Sequence, residues 1–141
     1  MIVIVALDNH NGMMFNHRRQ SKDRALRQRI MDIASASCLW MNAFSYRQFT
    51  EDPIDCKVQV DEDFLEKAGK KDYCFVEDQH LGAYEDRIDQ LIVCRWNRDY
   101  PADFSLDLTL NTGKWTRIFT EDIPGSSHEE ITLEVYGGEV H

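Results

Sequence analysis

Three groups of residues in this 141-residue chain could do chemistry. The first is Asp23, an acid that follows a basic run; in a buried heteroaromatic pocket its pKa would rise toward proton transfer, and at the start of a helix it would instead serve the macrodipole. The second is the run itself. Arg18, Arg19, Lys22, Arg24, Arg27 and Arg29 place six of the 16 basic residues in one short stretch. Guanidinium groups bind phosphate and carboxylate bidentately, so Arg18, Arg19 and Arg24 could seat an anion; the alternative is a solvated helix surface with acidic neighbours. The third is Ser127-His128-Glu129, which has the residue types of nucleophilic catalysis. Adjacency in sequence is not the geometry that catalysis needs, and a hairpin loop accounts for the three.

Metal chemistry is not expected. His10, His17, His80, His128 and His141 give no close pair, and Cys38, Cys56, Cys74 and Cys94 no C-x-x-C. The cysteines are widely spaced, and three lie in apolar stretches where a thiol behaves as a small hydrophobe, which suits a reducing, cytoplasmic setting.

The elements that must position these residues follow from the hydrophobic pattern. Residues 2 to 7 are almost continuously apolar, as in a central strand buried on both faces. Ser21 is placed to cap a helix whose Ala25, Leu26, Ile30 and Ile33 share one face, with the arginines largely on the other. Cys38 to Met41 forms a second buried strand, followed by a short helix carrying Phe44 and Phe49. Lys57 to Val60 alternates as a small strand. Asp61 offers an N-cap to a helix through Phe64, Leu65 and Ala68. Strands at Tyr73 to Val76 and Leu91 to Cys94 flank a helix around Leu81, Tyr84 and Ile88. Two alternating segments, Trp115 to Phe119 and Ile131 to Tyr136, make a long antiparallel hairpin, and Gly137 to His141 reads as a loose end. The pattern predicts one α/β domain over residues 1–141, with a central mixed, mostly parallel sheet, flanking helices and a C-terminal antiparallel hairpin.

Composition sets outer bounds. The hydrophobic fraction of 43% and aromatic fraction of 11% are those of a folded protein. No apolar run reaches the roughly 18 to 20 residues that span a bilayer. The opening Met1 to Leu7 has neither the positive leader nor the length of a signal peptide. A formal net charge of −9 disfavours nucleic acid and anionic membrane as partners. The oligomeric state is not legible.

The order of elements resembles the dihydrofolate reductase family nearly end to end. Ile4-Val5-Ala6-Leu7-Asp8 followed by Asn11-Gly12-Met13 is similar to the family's first strand and the start of its mobile active-site loop. Leu39-Trp40-Met41-Asn42 corresponds to the strand and turn beside the cofactor, Leu91 to Cys94 to the strand before the final subdomain, and Trp115 with Leu133-Glu134-Val135 to the closing hairpin. The resemblance implies that Asp23 stands where the family keeps its pterin-binding acid. It further implies that Leu7, Gly12, Met13, Arg18, Arg19 and Cys94 border the ligand.

The departures are as specific as the matches. Where the family cradles a pyrophosphate with consecutive glycines, this chain reads Val76-Glu77-Asp78-Gln79, putting two carboxylates where bare backbone should approach a phosphate. The second phosphate-contacting turn, Gly-Arg-x-Thr in the family, reads Asn42-Ala43-Phe44-Ser45 and lacks its cation. Arg18-Arg19 replaces a Pro-Trp pair, Cys94 a substrate-side Thr, and the segment from Phe49 to Tyr73 is short. The cofactor positions Asn42, Ser45, Glu77 and Asp78 are therefore degenerate, and NADPH binding in the family's manner is not expected. The reading that follows is a dihydrofolate-reductase-like protein that binds a small ligand or partner without hydride transfer. One alternative is an oxidoreductase of pterins or other heterocycles holding NADPH or a flavin in an altered pose. Another is an RNA-processing protein of the ribonuclease Z type, for which the His-x-His-x-Asp-His zinc signature is absent.

Overall fold

A computed structural model describes residues 1–138 of the chain. Strand β1 (Ile2–Leu7) shows why the sheet forms where it does: Val3, Val5 and Leu7 enter one hydrophobic cluster, while Ile4 enters a second on the opposite face. A strand that feeds two cores must lie inside the sheet. β1 pairs in parallel with β6 (Tyr73–Phe75) on one side and β7 (Gln90–Arg95) on the other. Outward from β6 come β4 (Cys38–Met41) and β5 (Lys57–Val60), both parallel. Outward from β7 come β10 (Glu130–Gly138) and β9 (Trp115–Pro124), both antiparallel to their neighbours. The result is a mixed seven-stranded sheet of order β5-β4-β6-β1-β7-β10-β9.

Each face is covered by what its side chains demand. Helix α1 (Arg24–Ile33) lays Leu26, Ile30 and Met31 on one face of the sheet, beside Phe49 of α2 (Ala43–Phe49). The other face is closed by the short α3 (Phe64–Lys67), through Phe64 and Leu65, together with Leu81, Leu108 and Trp115. Alternation along β10 sends Ile131 and Leu133 into one core and Tyr136 into the opposite one, and the register shift between Val135 and Tyr136 leaves Ile118 of β9 as the extra residue opposite them.

A second, three-stranded sheet was not legible in the sequence. β2 (Gly12–Phe15) pairs antiparallel with β3 (Arg18–Arg19) and with β8 (Phe104–Ser105). Asn16 and His17 connect β2 to β3 with φ of 52° and 60°, the left-handed pair that a two-residue hairpin of the I′ kind requires. Asn tolerates that region and His seldom does, so the turn gives a weak local signal.

Four further expectations need correction. Asp23, not Ser21, caps α1, because its carboxylate accepts the Leu26 N–H. Asp63 rather than Asp61 precedes α3, and Asp61 accepts the Asp63 N–H. The segment around Tyr84 is a 3₁₀ turn, Gly82–Arg87, and not an α-helix. Gly137 and Gly138 continue β10 opposite Thr116 and Trp115, while residues 139–141 lie outside the described part. No helix among the described residues is long and apolar enough to cross a membrane.

Phe49 reports on how far the helices depend on the sheet. It is fully buried and meets Phe75 edge-on at a centroid distance of 5.4 Å. Phe49→Ala should cost about 3–5 kcal/mol in chemical denaturation, and a loss below about 1 kcal/mol would show that α2 does not share the sheet's core.

Candidate functional site

Parallel strands end on the same edge of a sheet, and ligands of open α/β sheets collect beyond those carboxyl ends. Here the edge carries Asp8 after β1, Asn42 after β4, and Glu77 with Asp78 after β6. The β2–β3 ribbon folds over it and delivers Arg19. The Arg19 guanidinium engages Glu77 with both ends of its fork, Nε to Oε2 at 2.9 Å and Nη2 to Oε1 at 3.3 Å. It also donates to the Phe44 carbonyl at 3.0 Å and lies 4.4 Å above the Phe44 ring. Gln48 donates to the same Glu77 carboxylate. Glu77 is only 7% exposed, so its charge is neutralised locally rather than by water. Beside it, Asn42 Nδ2 donates to Asp78 Oδ1 at 2.9 Å while Asn42 Oδ1 caps α2 through the Ser45 N–H. The Ser45 hydroxyl is buried with no hydrogen-bond partner among the described residues.

Asp23 is the most heavily bonded acid of the region. Its Oδ1 accepts the Leu26 N–H at 3.1 Å and the Ser126 hydroxyl at 3.2 Å. Its Oδ2 accepts the N–H groups of Ser126, Ser127 and His128 at 3.0, 2.8 and 3.1 Å, and meets His128 Nδ1 at 3.1 Å. Three consecutive amides converging on one oxygen form a nest for an anion, here an internal one. Ser126 Oγ in turn accepts the N–H groups of Arg24 and Ala25, so the first turn of α1 is capped from a loop about a hundred residues away in sequence. Burial by itself would push the Asp23 carboxyl up. The Ser126 and Ser127 amides, the His128 ring and the Leu26 amide overcome that and hold it far below the usual carboxylate range. The direction is opposite to the rise that a proton-donating acid in an apolar pocket would show.

His128 extends the network. Because an ionised carboxylate can only accept, Nδ1 carries the proton, and in the neutral ring Nε2 is then the acceptor. Nε2 faces Ser21 Oγ at 2.9 Å and the Tyr100 hydroxyl at 3.2 Å, and the ring stacks on Trp96 at 4.6 Å. Ser127, His128 and Glu129 do not form a triad among themselves. Ser21, His128 and Asp23 do stand in line, across 107 residues of sequence separation that no local pattern could reveal.

Ser21 lines an open cavity of about 730 Å³ with His17, Arg18, Arg19, Lys22, Phe44 and Ser127. Lys22 is paired with Glu51 and Arg19 with Glu77. Arg18 is exposed and has no ion-pair partner among the described residues. The basic run is thus largely spent on internal pairing: Arg27, which departs from the expected solvent-facing placement, is 6% exposed against Asp52, and Arg29 meets Glu121. The other residues singled out from sequence sit deeper. Leu7 and Met13 belong to one hydrophobic cluster and Cys94 to the other, where burial pushes the Cys94 thiol up to about 12. Gly12 is required sterically, since a Cβ there would lie 2.6 Å from Ala102 Cβ and from Asp8 Oδ2. Among the described residues no group of three or more His, Cys, Asp or Glu side chains is arranged to hold a metal.

Comparison with solved structures places this architecture. Dihydrofolate reductase from Enterococcus faecalis, solved as a complex with NADP(H) and RAB-propyl, superposes with a TM-score of 0.65 over 99% of this chain and 96% of that one, at 8% identity. The chain has the dihydrofolate reductase fold. No protein-family model and no curated protein sequence matches it. At 8% identity the dihydrofolate reductase likeness concerns the path of the backbone, and the site must be argued from its own residues.

Two substitutions probe the Asp23 node. A Cβ at Gly125 would lie 2.4 Å from the His128 carbonyl oxygen and 2.9 Å from Asp23 Oδ2, so Gly125→Ala should lower stability by about 1–3 kcal/mol through displacement of the nest. Asp23→Asn tests the charge. With a folded pKa depressed below the ordinary 3.8, the stabilisation is complete above that value and fades as pH falls beneath it. Wild type and Asp23→Asn should therefore differ in urea melts by a constant amount from pH 7 down to about pH 5 and by progressively less as the pH falls below 3.8; a difference that does not change with pH would mean that the carboxylate's charge contributes nothing.

Proposed function

We propose that residues 1–141 form one dihydrofolate-reductase-like domain that binds a small anionic ligand in the cleft bordered by Arg18, Arg19, Lys22 and Phe44, without family-type hydride transfer from NADPH. The reading is carried by the Arg19–Glu77 pair. The turn after β6, where the sequence resemblance puts the cofactor's pyrophosphate, holds a buried carboxylate already saturated by Arg19 and Gln48, with Asp78 next to it. A phosphate at this turn would have to share Arg19 with Glu77, and drawing Arg19 away would strand a buried glutamate. The residues present do not fit a pyrophosphate there.

The saturated state of Asp23 supports a scaffold role for it rather than proton donation to a pterin. Leu7, Gly12, Met13 and Cys94 back the cleft from the interior on this reading, and Arg18, with no partner of its own, is the cation offered to the ligand. The four free cysteines accord with a cytoplasmic setting.

Titration with NADPH, followed by its fluorescence, should show no saturable binding up to about 1 mM, whereas a dissociation constant in the micromolar range would overturn the assignment. In thermal-shift measurements small carboxylates and phosphates should raise the melting temperature of wild type and not of Arg18→Ala. Equal shifts in both proteins would remove Arg18 from the site.

A further inference from the structure

We infer that Ser21 is a nucleophile for acyl transfer, activated by His128 and oriented by Asp23, and that the cleft takes a small carboxylic ester carrying an anionic group. This rests on the cleft proposed above as the binding place, but not on the loss of NADPH binding.

Three observations carry it. Ser21 Oγ, His128 Nε2, His128 Nδ1 and Asp23 Oδ2 follow one another at 2.9 Å and 3.1 Å, with the ring between hydroxyl and carboxylate. That is the nucleophile–base–orienter geometry, recognised by role and not by order in the chain. The orienter is itself fixed: Asp23 is 1% exposed and held by amides from the β9–β10 turn and from α1, so His128 is confined to the tautomer whose Nε2 can accept a proton. Trp96 stacking on the imidazole limits its rotation further. Finally, Ser21 is not sealed in, since it lines the cavity of about 730 Å³ beside Arg18 and Lys22. A helix cap needs Asp23 and Ser126. It does not need a histidine whose far nitrogen meets a serine at a cavity wall.

The reaction balances with water as the only co-reactant. Ser21 Oγ adds to the ester carbonyl carbon as its proton passes to His128 Nε2, and the negative charge that appears on the carbonyl oxygen faces the positive lining of the cleft. The carbon–oxygen bond to the alcohol breaks, and the alcohol leaves with the proton from His128. Water then adds to the acyl-serine by the same relay, the Ser21 ester bond breaks, and the carboxylic acid departs. Tyr100 also donates to Nε2, at a longer 3.2 Å, and so competes with Ser21 for the same lone pair.

A fluorophosphonate probe tests the assignment. On the native protein the probe should add its mass to the peptide bearing Ser21, and urea-unfolded protein should not be labelled there. Ser21→Ala should abolish labelling, and His128→Gln should slow it by about 10² to 10⁴-fold. Tyr100→Phe should label at least as fast as wild type, because it frees Nε2 for Ser21. Hydrolysis of the mono-p-nitrophenyl ester of succinate should follow the same order among the variants. Folding of each variant is checked by its thermal melt, and the comparison of native with unfolded wild type needs no variant at all. Absence of label at Ser21 in native protein, or equal labelling of native and unfolded protein, overturns the inference. The anion-dependent thermal shift of the wild type is read separately: if it is present while Ser21 does not label, the cleft binds ligands without chemistry, and if it is absent while Ser21 labels, the binding proposal fails alone.

Discussion

A buried carboxylate is tolerated only when its oxygens are satisfied, and the way Asp23 is satisfied determines how the two ends of this chain meet. Donors to it come from the first turn of α1 and from three successive residues of the β9–β10 turn. Removing any of these partners leaves a charge in a place water does not reach. The late hairpin is therefore anchored twice, along β10 by its ladder to β7 and at its tip by an anion supplied from residue 23. The same contact fixes the start of α1, and with it the direction in which Leu26, Ile30 and Met31 enter the core. An apolar residue at this position would leave three amides of the tip and the Leu26 amide of the helix without their acceptor.

A second ion pair gives the edge of the sheet its character. Taken one at a time, Arg18-Arg19 in place of Pro-Trp and Glu77-Asp78 in place of glycines look like unrelated departures from the dihydrofolate reductase pattern. In space Arg19 and Glu77 are one interaction, bidentate, roofed by Phe44 and completed by Gln48. An acid at the turn after β6 demands a cation, and the β2–β3 ribbon brings one. Asp8 organises the base of that ribbon by accepting the His10 and Gly12 amides and the Gln20 side chain. Arg95 ties the same loop to β10, donating to the Asp8 carbonyl and to Glu134. An acidic chain thus uses most of its early basic run as internal counter-charge, and Arg18 and Arg24 are the exposed members of it without an ion-pair partner among the described residues.

How much of this was legible in sequence depends on the range of the interaction. The continuous apolar runs of β1 and β7 and the alternation of β9 and β10 are local consequences of burial, and they gave the sheet and its hairpin. The helix around Tyr84 failed because a segment of six residues, Gly82–Arg87, holding Gly82, Glu85 and Asp86 closes tighter turns than its apolar spacing suggests. The ribbon gives no period to detect, since β3 and β8 have two residues each and β2 four, of which three are buried in succession. Asp23 could be singled out, yet only as a choice between pocket acid and helix acid, since the donors that decide its state lie at residues 126 to 128. Window by window Ser21 reads as a cap and His128 as a loop residue, and the fold changes both by bringing them within 2.9 Å.

The two nodes divide the strand-end region between them. Arg19 pairs with Glu77 in the turn after β6, whereas Ser21 meets His128 and, through it, Asp23, where α1 begins beside the β9–β10 turn; Arg19 and Ser21 both line the cleft, with Arg18, Lys22 and Phe44. Charge compensation at the first node does not draw on any donor used at the second. The fold supplies the frame for both, with strand ends on one side and the late hairpin on the other, but it dictates neither. What the cleft can do is set by which side chains remain uncommitted once the buried charges are paired, and in this chain those are a guanidinium at residue 18 and a hydroxyl held against an oriented imidazole at residue 21.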